Sequence, residues 1–168
     1  QPFTPGPTVV MHANWIHQKA SLREAYRDAQ LALIAVPVAA ESYKLHAMVF
    51  TDDSVRVIQR LKGTPPPHLR VTLTGGDWEG VRYRVEGQPL LQVGRPYLML
   101  LQKQFPDDPN DFRYTAVGGY QGFIQLNPQA QADVDAAPRW TAVAFNPDNN
   151  LERQVQGQDV LAALDVSP

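Results

Sequence analysis

Four histidines, His12, His17, His46 and His68, are the residues of this chain best suited to hold a metal. His12 and His17 flank the stretch ANWI, and with Met11 or His46 they offer imidazole nitrogens suited to copper or zinc and a thioether suited to Cu(I). The spacing argues against this, because residues five apart do not share a helical face, and no HExxH or HxH motif occurs. A copper or zinc site on His12, His17 and His46 is therefore the alternative reading, and the leading one has no cofactor.

Oxygen ligands and nucleophiles point the same way. PDDPND (106–111) groups Asp107, Asp108, Asn110 and Asp111, all oxygen donors suited to Ca²⁺, without the glycine and terminal glutamate of an EF-hand loop. The same residues are what a polar hairpin loop uses, and PDNN (147–150) reads alike. No serine sits in a G-x-S-x-G elbow, and GGDWEG lacks the Lys and Ser/Thr of a phosphate-binding loop. Glu79 and Glu86 read as solvent-facing charge, so the residues favour a non-enzyme.

Recognition is better served. Trp78 stands in a glycine-flanked turn, GGDWEG, with Glu79 beside it and Arg82 just beyond, and Tyr120 and Gln121 stand in a second such turn, GGYQG. Aromatic residues on turns are good anchors for a protein, glycan or lipid partner. Trp78, Glu79, Arg82, Tyr120 and Gln121 are the candidate binding residues.

Composition bounds the partner. The 168 residues carry a formal net charge of -2, with 19% charged residues, so no broad basic surface is available for nucleic acid. Cysteine is absent, which removes disulfides and thiolate ligands. The most apolar run, LALIAVPVAA, is too short to span a bilayer, so no transmembrane segment is expected. The Pro-rich opening QPFTPGP reads as a spacer behind a cleaved leader, and export to the periplasm, cell envelope or extracellular space is the expectation.

The elements that must position these residues are mostly strands. Ser21 with Glu24 forms a capping box opening a helix of about two to three turns, whose Leu22, Ala25, Tyr26 and Ala29 share a face. LALIAVPV reads as a strand buried on both faces, and YKLHAMVF (43–50) as a strand with Tyr43, Leu45, Ala47 and Val49 on one side. SVRVIQRLKG and LRVTLT are further strands joined by the stiff turn TPPPH. VRYRVE, PYLMLL, FRYTAV, GGYQGFIQLN and RWTAVAF follow, and QDVLAALDV closes the chain as a helix with Asp159 as cap. Gly75, Gly76, Gly80, Gly87 and Gly94 each fall at a strand boundary, the pattern of tight turns between the short strands of a small barrel.

GGDWEG, VEGQPLLQVGRPYLMLL and YTAVGGYQGFIQL, downstream of VRVIQRLKG, resemble a family of exported bacterial domains of largely uncharacterised function, over residues 21–127. The resemblance implies an OB-like barrel similar to the netrin and tissue-inhibitor-of-metalloprotease modules. Inhibitors of that wider class chelate a protease metal through an N-terminal cysteine, which this chain lacks, so that mechanism does not carry over.

Together these readings predict a mainly β protein: an N-terminal Pro-containing extension (1–20), then one OB-like (netrin/TIMP-like) β-barrel domain (21–168) with a helix near each end. Its expected role is a non-catalytic binding or assembly module that engages an envelope or extracellular protein or glycan.

Overall fold

A computed structural model describes residues 6–12, 18–127 and 139–166. The chain is mainly β, as its alternating and apolar runs require, with nine strands in two sheets and three short helices among the described residues.

The centre is a pair of 15-residue strands, β2 (Leu31–Leu45) and β3 (Met48–Lys62), joined as an antiparallel hairpin. β4 (Arg70–Thr74) adds to β3 after the proline turn. β7 (Tyr97–Lys103) pairs with β2, with β8 (Arg113–Ala116) and with β9 (Phe123–Gln125), and β8 lies parallel to β4. The hydrogen-bonded path therefore runs from β2 through β3, β4, β8 and β7 and back to β2. A second sheet has β6 (Val81–Val85) between β5 (Gly76–Trp78) and β1 (Thr8–Met11), the last being parallel to it. Residues 8–11, inside the expected N-terminal extension, are thus part of a sheet.

Two apolar clusters lie on opposite faces of β2 and β7. Leu31, Leu33, Ala35, Tyr97, Met99 and Leu101 face one cluster with Val71, Leu73 and Phe123. Ala32, Ile34, Leu98 and Leu100 face the other, which α1 (Leu22–Asp28), α2 (Asn150–Val155) and α3 (Val160–Leu164) cover with Leu22, Ala25, Leu151, Val155, Val160 and Leu161. Strands covered on both faces read as continuous apolar runs, which is why LALIAVPV and YLMLL do not alternate. Ser21 caps α1 by accepting from Glu24 N at 3.2 Å, while Glu24 accepts from Ala20 N at 2.9 Å, one residue before the cap.

Three expectations are corrected. YKLHAMVF is not one strand but the tip of the hairpin: His46 and Ala47 form a two-residue turn with φ of 50° and 67°, and Tyr43 pairs with Phe50. Tyr43 and Phe50, expected on opposite sides, now share a face, with ring centroids 5.9 Å apart. Such turns usually carry Asn-Gly, so His-Ala gave no signal in the sequence. RWTAVAF makes only isolated bridges at Thr141 and Ala142. PDNN does not end as a solvated loop, because buried Asn149 caps α2.

The Gly75-Gly76 pair has a specific use. Gly75 N donates to Val49 O at 2.8 Å, and a Cβ on Gly76 would overlap Thr51 Oγ1 and Ser42 Oγ. The chain can pass from β4 onto the hairpin only without a side chain there. Gly80 has φ of 79°, but a methyl group added to it would meet nothing within 4 Å. Gly76→Ala is therefore expected to lose more stability than Gly80→Ala, by about 1–3 kcal/mol on the overpacking scale, in urea denaturation of the two variants.

Candidate functional site

The Trp78 turn is set by β5 and β6. Glu79 and Gly80 take φ of 48° and 79° between the paired residues Trp78 and Val81, so the hairpin closes in two residues and leaves Glu79 exposed. Trp78 itself is half-buried. Arg82 donates its backbone N–H to Pro7 O at 2.9 Å and pairs with Thr8 and Asp77, and its Nε is buried without an acceptor. Arg84 holds Asp77 at 2.9 Å. Thr51 Oγ1 donates to Gly75 O at 2.7 Å, and a Cβ on Gly76, the first residue of β5, would meet Thr51 and Ser42, so the start of β5 lies against the β2–β3 hairpin.

That hairpin is a surface the sequence did not announce. Beyond Pro37, β2 leaves β7, whose pairing ends at Ala35, and residues 38–41 are all exposed. Val38, Leu45 and Met48 remain 51%, 38% and 40% exposed. Its outer face toward the tip is braced by polar contacts: Tyr43 and Thr72 donate to Asp52 Oδ1 at 3.0 and 2.7 Å, and Arg113 donates to the Tyr43 hydroxyl at 2.9 Å. Arg113 is aimed by Asp111, at 2.5 Å, in the PDDPND loop between β7 and β8. The only signal for it in the sequence was the length of the β run on either side of His46.

Tyr120 and Gln121, expected on an exposed rim, are buried at 9% and 0% exposure. The Gln121 side chain accepts from Lys19 N at 2.6 Å and donates to Lys19 O and Asn150 Oδ1 at 2.9 and 2.7 Å. The Tyr120 hydroxyl donates to Asp148 O at 3.1 Å and accepts from Gln18 at 3.2 Å. Both side chains are engaged in joining the segment before α1 to the segment before α2. An amide buried this deeply needs internal partners, and it has them.

The histidines stand as follows. His12, just after β1, contacts Glu86 through Nδ1, and both groups are exposed. His46 occupies the hairpin tip, and His17 lies outside the described residues. Among the described residues no group of three or more His, Asp or Glu is arranged to hold a metal ion. Ser21 is engaged as a helix cap and Ser42 with Thr51 at 2.9 Å.

Two carboxyls are nearly sealed from water. Asp53, on the inward face of β3, is 1% exposed, and its Oδ1 has no hydrogen-bond partner. Glu152 on α2 is equally buried but accepts from Asn146 N at 2.6 Å and Gln125 N at 3.0 Å. Burial pushes the Glu152 carboxyl above its ordinary value, and the backbone donors, Asn146 first, pull it back. Asn149 completes the arrangement, accepting from Leu151 N and donating to Gln121 O and Phe123 O. Glu152→Gln sets an amide NH₂ against backbone donors, and a loss of about 1–3 kcal/mol is expected in chemical denaturation. Glu152→Ala leaves both amides unpaired and is expected to cost at least as much.

Comparison of the chain with models of known families, with curated proteins and with solved structures gives no match.

Proposed function

We propose that the chain is a non-catalytic binding or assembly module on an OB-like barrel of the netrin and metalloprotease-inhibitor type, acting in the cell envelope or outside the cell. The barrel reading is supported by the strand path that returns to β2, with β4 and β8 parallel and the other neighbours in that ring antiparallel. Five strands in such a ring match the small Greek-key barrel whose faces and loops bind extended ligands. That step is fold analogy, since one fold serves many functions, and the surface narrows the choice.

The observation that carries the reading is the exposed hairpin tip. Leu45 and Met48 pair across it and remain open to water, with Tyr43 and Phe50 one step behind them. A folded chain exposes single apolar residues routinely, but two paired at the tip and backed by an aromatic pair form a small apolar patch that a partner can cover. Trp78 is carried by the sheet seated on the same hairpin, so the expected Trp78 turn and the tip can serve one partner, a protein or glycan.

The test is mild cross-linking in the native host and affinity purification of the tagged protein beside Leu45→Lys/Met48→Lys and Trp78→Ala variants that retain the wild-type circular dichroism spectrum. A stoichiometric partner lost with the tip variant is the expected result, with weaker loss for Trp78→Ala. Recovery of the wild-type protein alone, or undiminished capture by the tip variant, overturns the proposal.

A further inference from the structure

Three buried side-chain oxygens have no hydrogen-bond partner among the described residues: Asp53 Oδ1, Gln88 Oε1 and Gln125 Oε1, on residues 1%, 4% and 7% exposed. Their backbone positions lead to one end of the apolar cluster that holds Tyr97 and Met99. Gln125 stands opposite Tyr97 in the β7–β9 pair, as Phe123 stands opposite Met99, so its side chain is on the cluster's face. Asp53 stands opposite Val71 and next but one to Val55, both in or against the same cluster, so it shares that face too. Residues opposed in an antiparallel pair, and residues two apart on a strand, point to one side of the sheet.

The end is also fixed. Tyr97 is the residue of β7 nearest the hairpin tip, and Asp53 lies on the tip side of Val55. The Asp53 carboxyl is near enough for its charge to act on the Tyr97 hydroxyl. The loop between β6 and β7 closes over this end: Leu90 and Leu91 pack on the cluster, and Gln92 N donates to the Tyr97 hydroxyl at 2.9 Å. Gln88 belongs to that loop. The two bare buried donors belong elsewhere, Arg82 Nε to the small sheet and Trp140 Nε1 to the opposite cluster.

We propose that this closed end is a binding site for an alkali cation, sodium or potassium, held by the side-chain oxygens of Asp53, Gln88 and Gln125. A carboxylate taken out of water is paired with a cation or coordinates a metal, and no Lys, Arg or His of the described residues pairs with Asp53. Carboxylate and amide oxygens are the ligands that hard cations take, and each bare buried acceptor calls for such a partner. A single carboxylate among neutral oxygens balances one positive charge, so a monovalent ion leaves no net charge in the interior whereas a divalent ion does. Asp52, on the outer face with Tyr43 and Thr72, adds negative potential without entering the site. Two of the three ligands are amides, so the lack of a His, Asp or Glu trio among the described residues does not bear on the site.

Thermal unfolding of the dialysed chain in sodium, potassium and tetramethylammonium chloride at one ionic strength tests this, because tetramethylammonium keeps the screening but is too large to enter. The midpoint is expected to be about 3–6 °C higher in whichever alkali salt the site fits. Asp53→Asn keeps an oxygen and removes the charge, and is expected to abolish the difference. Equal midpoints in the three salts overturn the proposal, and so does a difference that Asp53→Asn retains. The carbon-13 resonance of the wild-type Asp53 carboxyl is expected to move as tetramethylammonium is exchanged for the favoured ion. An unmoved resonance overturns the proposal even if Asp53→Asn fails to fold.

Discussion

The structure depends on β2 being satisfied on every side. Its backbone pairs with β3 along one edge and with β7 along the other, and its side chains enter one apolar cluster from each face. A strand so enclosed has no polar side chain to hydrate and no free edge over residues 31–35, so its neighbours are fixed by the need to cover it. The helices follow from this. α1, α2 and α3 are each only five to seven residues long, too short to hold by themselves, and they persist because Ile34, Leu98 and Leu100 need a cover.

The same strand changes character at Pro37. Proline has no N–H to donate, and there the pairing with β7 has already ended. Past it β2 carries on paired with β3 alone, and the hairpin is steadied by the Tyr43, Asp52, Thr72 and Arg113 contacts on one face and by the Gly75-Gly76 crossing on the other. A single long hairpin thereby supplies both the best-buried and some of the most exposed apolar residues of the chain, and the proposed function rests on the exposed half.

Buried polar groups do a second kind of joining. Gln121, Asn149 and Glu152 each connect segments far apart in sequence, and two of them, Gln121 and Asn149, are fully buried. Polar side chains that find all their partners only in the folded chain make the docking of the C-terminal segment specific in a way that Leu151 and Leu161 alone would not. Asp53 differs from these three, a carboxyl in the same degree of burial with an oxygen left bare, as are single buried atoms of Arg82, Gln88, Gln125 and Trp140.

Much of the secondary structure was legible locally, because local rules govern it. The Ser21 cap, the Asp159 cap, the apolar runs of β2 and β7, and the glycines at turns all follow from period, capping chemistry and backbone sterics. The His46-Ala47 turn was hidden, since the strand register imposes positive φ on residues that do not advertise it. Tyr120 and Gln121 looked like rim residues because a glycine-rich turn is usually outside; here Lys19 and Asn150 close over it. By itself, then, the sequence determined a mainly β chain with capped helices and tight turns, since those depend on neighbours a few residues away. Only the tertiary structure decided which aromatic and polar residues face water and where an acid is sealed in, because burial is set by contacts between residues tens of positions apart.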